Sequence, residues 1–128
     1  MKDCPFCDLA PPSVWLESSS ALALWDGFPI SEGHTLVVPR RHASSLFDLP
    51  FSELSSVWRF VARVRDDLIS RFRVDAFNIG VNDGSAAGQT VMHAHIHVVP
   101  RREGDVPDPR GGVRWVIPGK AGYWIEKP

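Results

Sequence analysis

Residues 90–100 read TVMHAHIHVVP, and this stretch decides how the chain is folded. Side chains alternate across a β-strand. As a strand it places His93, His95 and His97 on one face, roughly 7 Å apart per step, with Ala94, Ile96 and Val98 on the other. That gives an apolar underside for a helix to cover and an imidazole row on top, closed by Pro100. Upstream, the glycine-rich DGSAAGQ (83–89) reads as a turn, and DAFNIGVN (75–82) as another strand. So short a connection makes the two strands antiparallel. Before them, SELSSVWRFVARVRDDLISRF (52–72) places Leu54, Val57, Val61, Val64, Leu68 and Phe72 at three- and four-residue steps. It predicts one long helix with Ser52 as N-cap. HTLVVP (34–39) and ALALW (21–25) are short apolar runs bounded by turn residues, and both read as strands. The glycines and prolines of residues 101–128 predict an irregular tail on the surface. The order strand, strand, helix, strand, strand describes a single α+β domain over residues 1–128, with a mainly antiparallel sheet.

At 128 residues and 44% hydrophobic content, the chain can bury a core of ordinary size. Its formal charge of −1 supplies no global field for nucleic acid or anionic membrane, so any phosphate binding is local. No run has transmembrane length and the N-terminus lacks the apolar core of a signal peptide. A cytoplasmic location is the expectation. Cys4 and Cys7 form a C-x-x-C pair; in a reducing compartment metal or redox use is expected ahead of a structural disulfide.

A polar face that happens to be rich in histidine explains the alternation poorly, since protonated rings repel and buried ones need partners. A metal site is one reading, because His-x-His is a common ligand pair. Covalent catalysis is another, since imidazole is nucleophilic at neutral pH. The preceding turn favours phosphate chemistry. Glycines allow backbone N–H groups close to an anion, and Asn82, Gln89 and Thr90 are neutral donors.

The joint pattern resembles the histidine triad (HIT) family of nucleotide hydrolases and transferases. GQTVMHAHIHVVPR (88–101) is similar to its His-x-His-x-His signature, and DGFPISEGHTLVVPRRH (26–42) to its upstream segment; the likeness runs over roughly residues 4–103. It implies that His95 attacks the α-phosphorus of a nucleotide to form a nucleotidyl-histidine, which water then hydrolyses. It also implies that His97 binds phosphate and assists proton transfer, that Gln89, Thr90 and Gly88 lie at the reacting phosphate, and that Asn82 contacts the nucleotide. Asp26 falls where the family holds the ribose hydroxyls, Phe28 and Ile30 where it sandwiches the base, and His34 beside the triad. On spacing alone Phe28 and Ile30 serve equally well as core. Gly27 departs from relatives with a larger side chain there.

Family members with an N-terminal C-x-x-C bind zinc through that pair, the histidine closing the upstream segment and the first triad histidine. All four positions are filled, by Cys4, Cys7, His42 and His93, and the resemblance implies a structural zinc in a bacterial-type branch. It also implies a homodimer built on the long helix and a strand edge, with Phe60 and Ile69 as apolar helix residues outside the main stripe. The implied substrate is an adenine-containing dinucleoside polyphosphate such as diadenosine tetraphosphate. The alternatives are a nucleoside phosphoramidase on the same triad and a nucleotide-binding signalling module with little turnover. Galactose-1-phosphate uridylyltransferases carry two such halves, and this chain has one.

Overall fold

The computed structural model describes residues 4–8 and 13–125. Five strands form one antiparallel sheet: β1 (Val14–Glu17), β2 (Ala21–Trp25), β3 (Thr35–Pro39), β4 (Ala76–Gly80) and β5 (Ile96–Arg101), in the spatial order β1-β2-β3-β5-β4. The helix α1 (Phe51–Arg71) covers one face. The α+β class, the antiparallel sheet and the single long helix agree with the sequence reading. β1 is an additional strand. Its four residues are too few to show a period, and it is specified by pairing with β2, from Val14 opposite Leu24 to Glu17 opposite Leu22.

Two layers of apolar side chains explain why β3 is buried along its whole length. Under α1, Ala21, Ala23, Val37, Ile96 and Val98 meet Val57, Phe60, Val61, Val64 and Leu68 of the helix. On the opposite face Leu24, Leu36 and Val38 form a smaller cluster beneath Phe6 of the N-terminal loop. Phe60 belongs to the core, not to the helix surface; Ile69 and Trp58 are exposed. The helix begins one residue earlier than Ser52, with Pro50 at the capping position and no side-chain cap. Pro50 breaks the chain direction there, and its carbonyl accepts the N–H of Leu54.

The hairpin between β2 and β3 brings the two ends of its loop together: the Asp26 N–H donates to the His34 carbonyl at 3.0 Å, extending the ladder by one pair. Gly33 turns the chain there at φ +88°, and a Cβ would meet the Phe72 ring at 3.2 Å and Pro100 at 3.3 Å. The tail is more ordered than its composition suggests. It contains a 3-10 turn at Gly112–Val116 and one helical turn, α2 (Pro118–Ala121), which buries Ala121. Arg101 fixes the start of the tail by donating to both oxygens of Asp105 and to Asn78 of β4. No helix among the described residues is long and apolar enough to cross a membrane.

Candidate active site and metal centre

Of the three clustered histidines, only His97 lies in a strand. It sits in β5 opposite Leu36 of β3 and Gly80 of β4, and a Cβ at Gly80 would meet nothing within 4 Å, so the surface beside His97 is open. His93 and His95 precede the strand, in a bend. The expected strand over 90–100 is therefore shorter at its start. The backbone at this bend finds partners elsewhere: the Ala94 N–H donates to the Ala43 carbonyl at 2.7 Å, and the Val91 carbonyl accepts from the Gln89 side chain at 3.0 Å. The bend lets His93 turn inward to full burial while His95 stays beside His97, their ring centroids 5.3 Å apart.

Hydrogen bonds select the tautomer of each ring. A carbonyl can only accept, so the 2.9 Å contact from His95 Nδ1 to the His93 carbonyl makes Nδ1 the donor. In neutral His95 the lone pair is then on Nε2. His34 accepts the Ile30 N–H at Nδ1 (3.2 Å), which puts its own proton on Nε2, and Nε2 donates to His97 Nδ1 at 3.0 Å. His97 in turn carries its proton on Nε2. Burial pushes the His34 and His97 imidazoles below the ordinary histidine range; at His97 the neighbouring His95 and His34 add to this, while Asp26 opposes it at both. Asp26 accepts the Phe28 N–H at 2.8 Å and holds its other oxygen 3.4 Å from His34 Nε2 and 4.0 Å from His97 Nδ1. His34 therefore stands beside the triad, as the resemblance implies, and Asp26 supports the same histidine pair.

Cys4, Cys7, His42 and His93 come together from three separate places in the chain: the N-terminal loop, the segment after β3 and the bend before β5. His93 Nδ1 lies 3.3 Å from Cys4 Sγ, 3.5 Å from Cys7 Sγ and 3.1 Å from His42 Nδ1; Cys7 Sγ lies 3.0 Å from His42 Nδ1. Bonds of about 2.0 to 2.3 Å to a tetrahedral metal require donor separations of roughly 3.3 to 3.8 Å, so the set needs only small adjustments to close on one ion. His93 Nε2 donates to the Pro39 carbonyl at 2.8 Å, freeing Nδ1 as a ligand, and burial lowers its tendency to protonate. Two thiols, two imidazoles and a carbonyl holding one imidazole in its ligating tautomer fit a structural metal centre.

The remaining residues divide. Phe28 and Ile30 are 91% and 77% exposed, so they are not core and stand free at the rim of the site. Asn82 is half-buried and Thr90 exposed, on the turn before the histidines. The turn is not an open anion cradle. The N–H groups of Ala87, Gly88 and Gln89 bond to carbonyls within the turn, with Gly84 and Gly88 at φ +100° and +98°. Gln89, expected at the phosphate, is buried. Its two amide hydrogens go to the Ser44 and Val91 carbonyls and its oxygen accepts the Gly84 N–H. No donor of that side chain is left for a phosphate; it acts as a staple for the turn. Beside the histidine row, a cleft of about 690 Å³ is lined by Ile30, Ser31, Asn78, Val99, Arg101 and Asp105 among others. Asn78, Arg101 and Phe6 carried no signal in the sequence. Only the alternation His97, Val99, Arg101 along β5 points to Arg101 sharing the histidine face.

This sheet, with a histidine row leading into β5 between β3 and β4, defines a protein of the HIT class, and comparison with known proteins agrees. The HIT domain model matches residues 9–104, and the chain belongs to that family. An adenylylsulfatase, HINT3, of Arabidopsis thaliana is 35% identical over 80% of the chain, which spans 54% of the length of that relative. A bis(5'-nucleosyl)-tetraphosphatase of Schizosaccharomyces pombe is 44% identical over 60% of the chain and 42% of its own length. Among solved structures, a zinc-bound histidine triad family protein from Mycobacterium smegmatis superposes with a TM-score of 0.75 at 35% identity, covering 90% of this chain and 91% of the other.

Proposed function

We propose that the chain hydrolyses dinucleoside polyphosphates at the α-phosphate through a nucleotidyl intermediate on His95. The observation that carries this reading is the tautomer pattern: Nδ1 of His95 is committed to the His93 carbonyl, so the lone pair is on Nε2. The Nε2 lone pair attacks the α-phosphorus, a P–N bond forms, and the bond to the leaving polyphosphate oxygen breaks. The Nε2–H of His97 donates a hydrogen bond to the oxygen that gains charge. The ring of the adduct carries positive charge, which the His93 carbonyl stabilises at Nδ1–H and which makes imidazole a good leaving group. Water then attacks phosphorus, the P–N bond breaks, the nucleoside monophosphate is released and the water proton passes to solvent. Asp26 accepts from the ribose hydroxyls, Phe28 and Ile30 hold the base, preferentially adenine, and Asn82, Gly88 and Thr90 line the phosphate path. Gln89 contributes through the shape of its turn.

Cys4, Cys7, His42 and His93 would hold zinc. Four protein ligands would leave no position for water, so such an ion would supply cross-linking of the N-terminal loop to the rest of the domain and no activated water. The related tetraphosphatase supports the substrate class. The likeness to an adenylylsulfatase favours a second reading, in which the same attack expels a small group, as from an adenylyl sulfate or a nucleoside phosphoramidate. In cells the protein works as a cytoplasmic homodimer.

The test is a rapid, acid-free quench followed by mass spectrometry, with product analysis on diadenosine tetraphosphate and an adenosine phosphoramidate. One nucleoside monophosphate is expected on His95, and His95→Ala is expected to bind nucleotide without releasing product. An adduct on another residue refutes the mechanism. Binding without turnover by the wild-type chain would favour a nucleotide-sensing module.

A further inference from the structure

The loop that carries Cys4 and Cys7 also carries Phe6, and Phe6 touches the proposed nucleophile. Its ring meets His95 edge-on, with centroids 5.1 Å apart at 67°, and meets His93 at 6.0 Å and 87°. Both fall in the range of about 4.5 to 7 Å that favours edge-to-face aromatic pairs. On its other side Phe6 packs on the apolar patch of Leu24, Leu36 and Val38. Leu36 pairs with His97 across β3 and β5, so this patch lies on the same face of the sheet, directly beside the histidine row.

We propose that Phe6 is a positioning residue, which holds the His95 ring at its attacking angle and makes the cysteine loop and the nucleophile one mechanical unit. The inference rests on His95 being the nucleophile. The hydrogen bond from His95 Nδ1 to the His93 carbonyl fixes one point of the ring, and a ring held at one point can still tilt about it. His97 bounds the ring at 5.3 Å. The Phe6 edge bounds it from the loop and restricts that tilt. The same loop brings Cys4 and Cys7 to His93, whose carbonyl is the anchor of His95. Closure of the four-ligand centre therefore sets two restraints on the nucleophile: the place of Phe6 and the place of the His93 carbonyl. In-line attack depends steeply on such placement.

The experiment compares wild type, Phe6→Ala, Phe6→Tyr and Phe6→Leu, all purified with their metal, by steady-state kinetics and by 15N NMR of the histidine rings without substrate. In Phe6→Ala, kcat is expected to fall about 10- to 100-fold with KM changed little and metal content equal to wild type. Phe6→Tyr, which keeps the ring edge, recovers most of the rate. The NMR should show one tautomer of His95, protonated at Nδ1, in the wild type, and a mixture or exchange broadening in Phe6→Ala. Phe6→Leu keeps the packing on Leu36 but lacks the ring edge. It is read in the same way if Phe6→Ala does not fold. The proposal is overturned by an unchanged His95 signature and rate in the loop variants, by a rise in KM alone, or by loss of the metal from them. Because the NMR signature needs no substrate, a wild-type chain that turns over no tested nucleotide would refute the proposed function while leaving this inference to be judged by the spectra.

Discussion

Burial holds His34 and His97 uncharged at a pH where an exposed histidine begins to protonate, and this links folding to acidity. Their imidazoles lie below the ordinary range in the folded chain and near about 6.5 in the unfolded one. As pH falls through about 6.5 the unfolded chain takes up protons that the folded chain refuses, so the unfolded state gains and stability is lost. Above that point both states are neutral at these residues, and they contribute no slope. The prediction is a free energy of unfolding that is flat from pH 8 to 7 and falls toward pH 5.5, above the range in which most carboxylates titrate. Urea denaturation across this interval measures it, and a rise in stability on acidification would contradict the burial argument. Protonating His97 also removes the acceptor at Nδ1 that takes the His34 proton; burial defers that step in the folded chain, so the relay that orients His97 fails only at a pH below the ordinary histidine range.

Gln89 shows how a side chain becomes part of an element. The turn at residues 83–89 and the bend at 91–95 have few regular backbone bonds between them, and the Gln89 amide joins Gly84, Ser44 and Val91 across the gap. Replacing Gln89 with Leu keeps the volume and leaves one N–H and two carbonyls without that partner. We predict a loss of about 2 to 4 kcal/mol in unfolding free energy, measured by denaturant titration, together with a fall in turnover as the bend shifts His95. Full stability with lost turnover would instead return Gln89 to the role of a direct phosphate contact.

For the molecule as a whole, two features await completion. The Cys4, Cys7, His42 and His93 cluster ties the N-terminal loop to the bend beside β5. Elemental analysis of protein purified without added metal is expected to give one zinc per chain. Chelation should lower the melting temperature, since a structural ion contributes its binding energy to the folded state. Protein free of zinc, with Cys4 and Cys7 both titrating as thiols in the folded state, would contradict the site. Next to β5, β4 is an edge strand of the sheet, and Phe51, Trp58 and Ile69 are exposed on α1. An open edge and an apolar helix surface predict a two-fold dimer. Light scattering that reports only monomer at high micromolar concentration would exclude it.

The strands β2, β3, β4 and the body of β5, and the course of α1, were legible in the chain because each carries a local period or a short apolar run. The grouping of Cys4, Cys7, His42 and His93 was legible through family resemblance and is now a set of contacts. Periodicity could not reveal that the alternation of TVMHAHIHVVP breaks at His95. That break depends on the Pro39 carbonyl taking His93 Nε2–H, on Ala43 taking the Ala94 N–H and on Gln89 taking the Val91 carbonyl. Tertiary structure likewise decided that Phe28 and Ile30 are exposed, that Gln89 is a staple and that Phe6 reaches His95. The physical reason is distance along the chain. Cys4 and His93 are 89 residues apart, and contacts of that range depend on how the sheet, the helix and the loop pack together, which no local pattern of residues encodes.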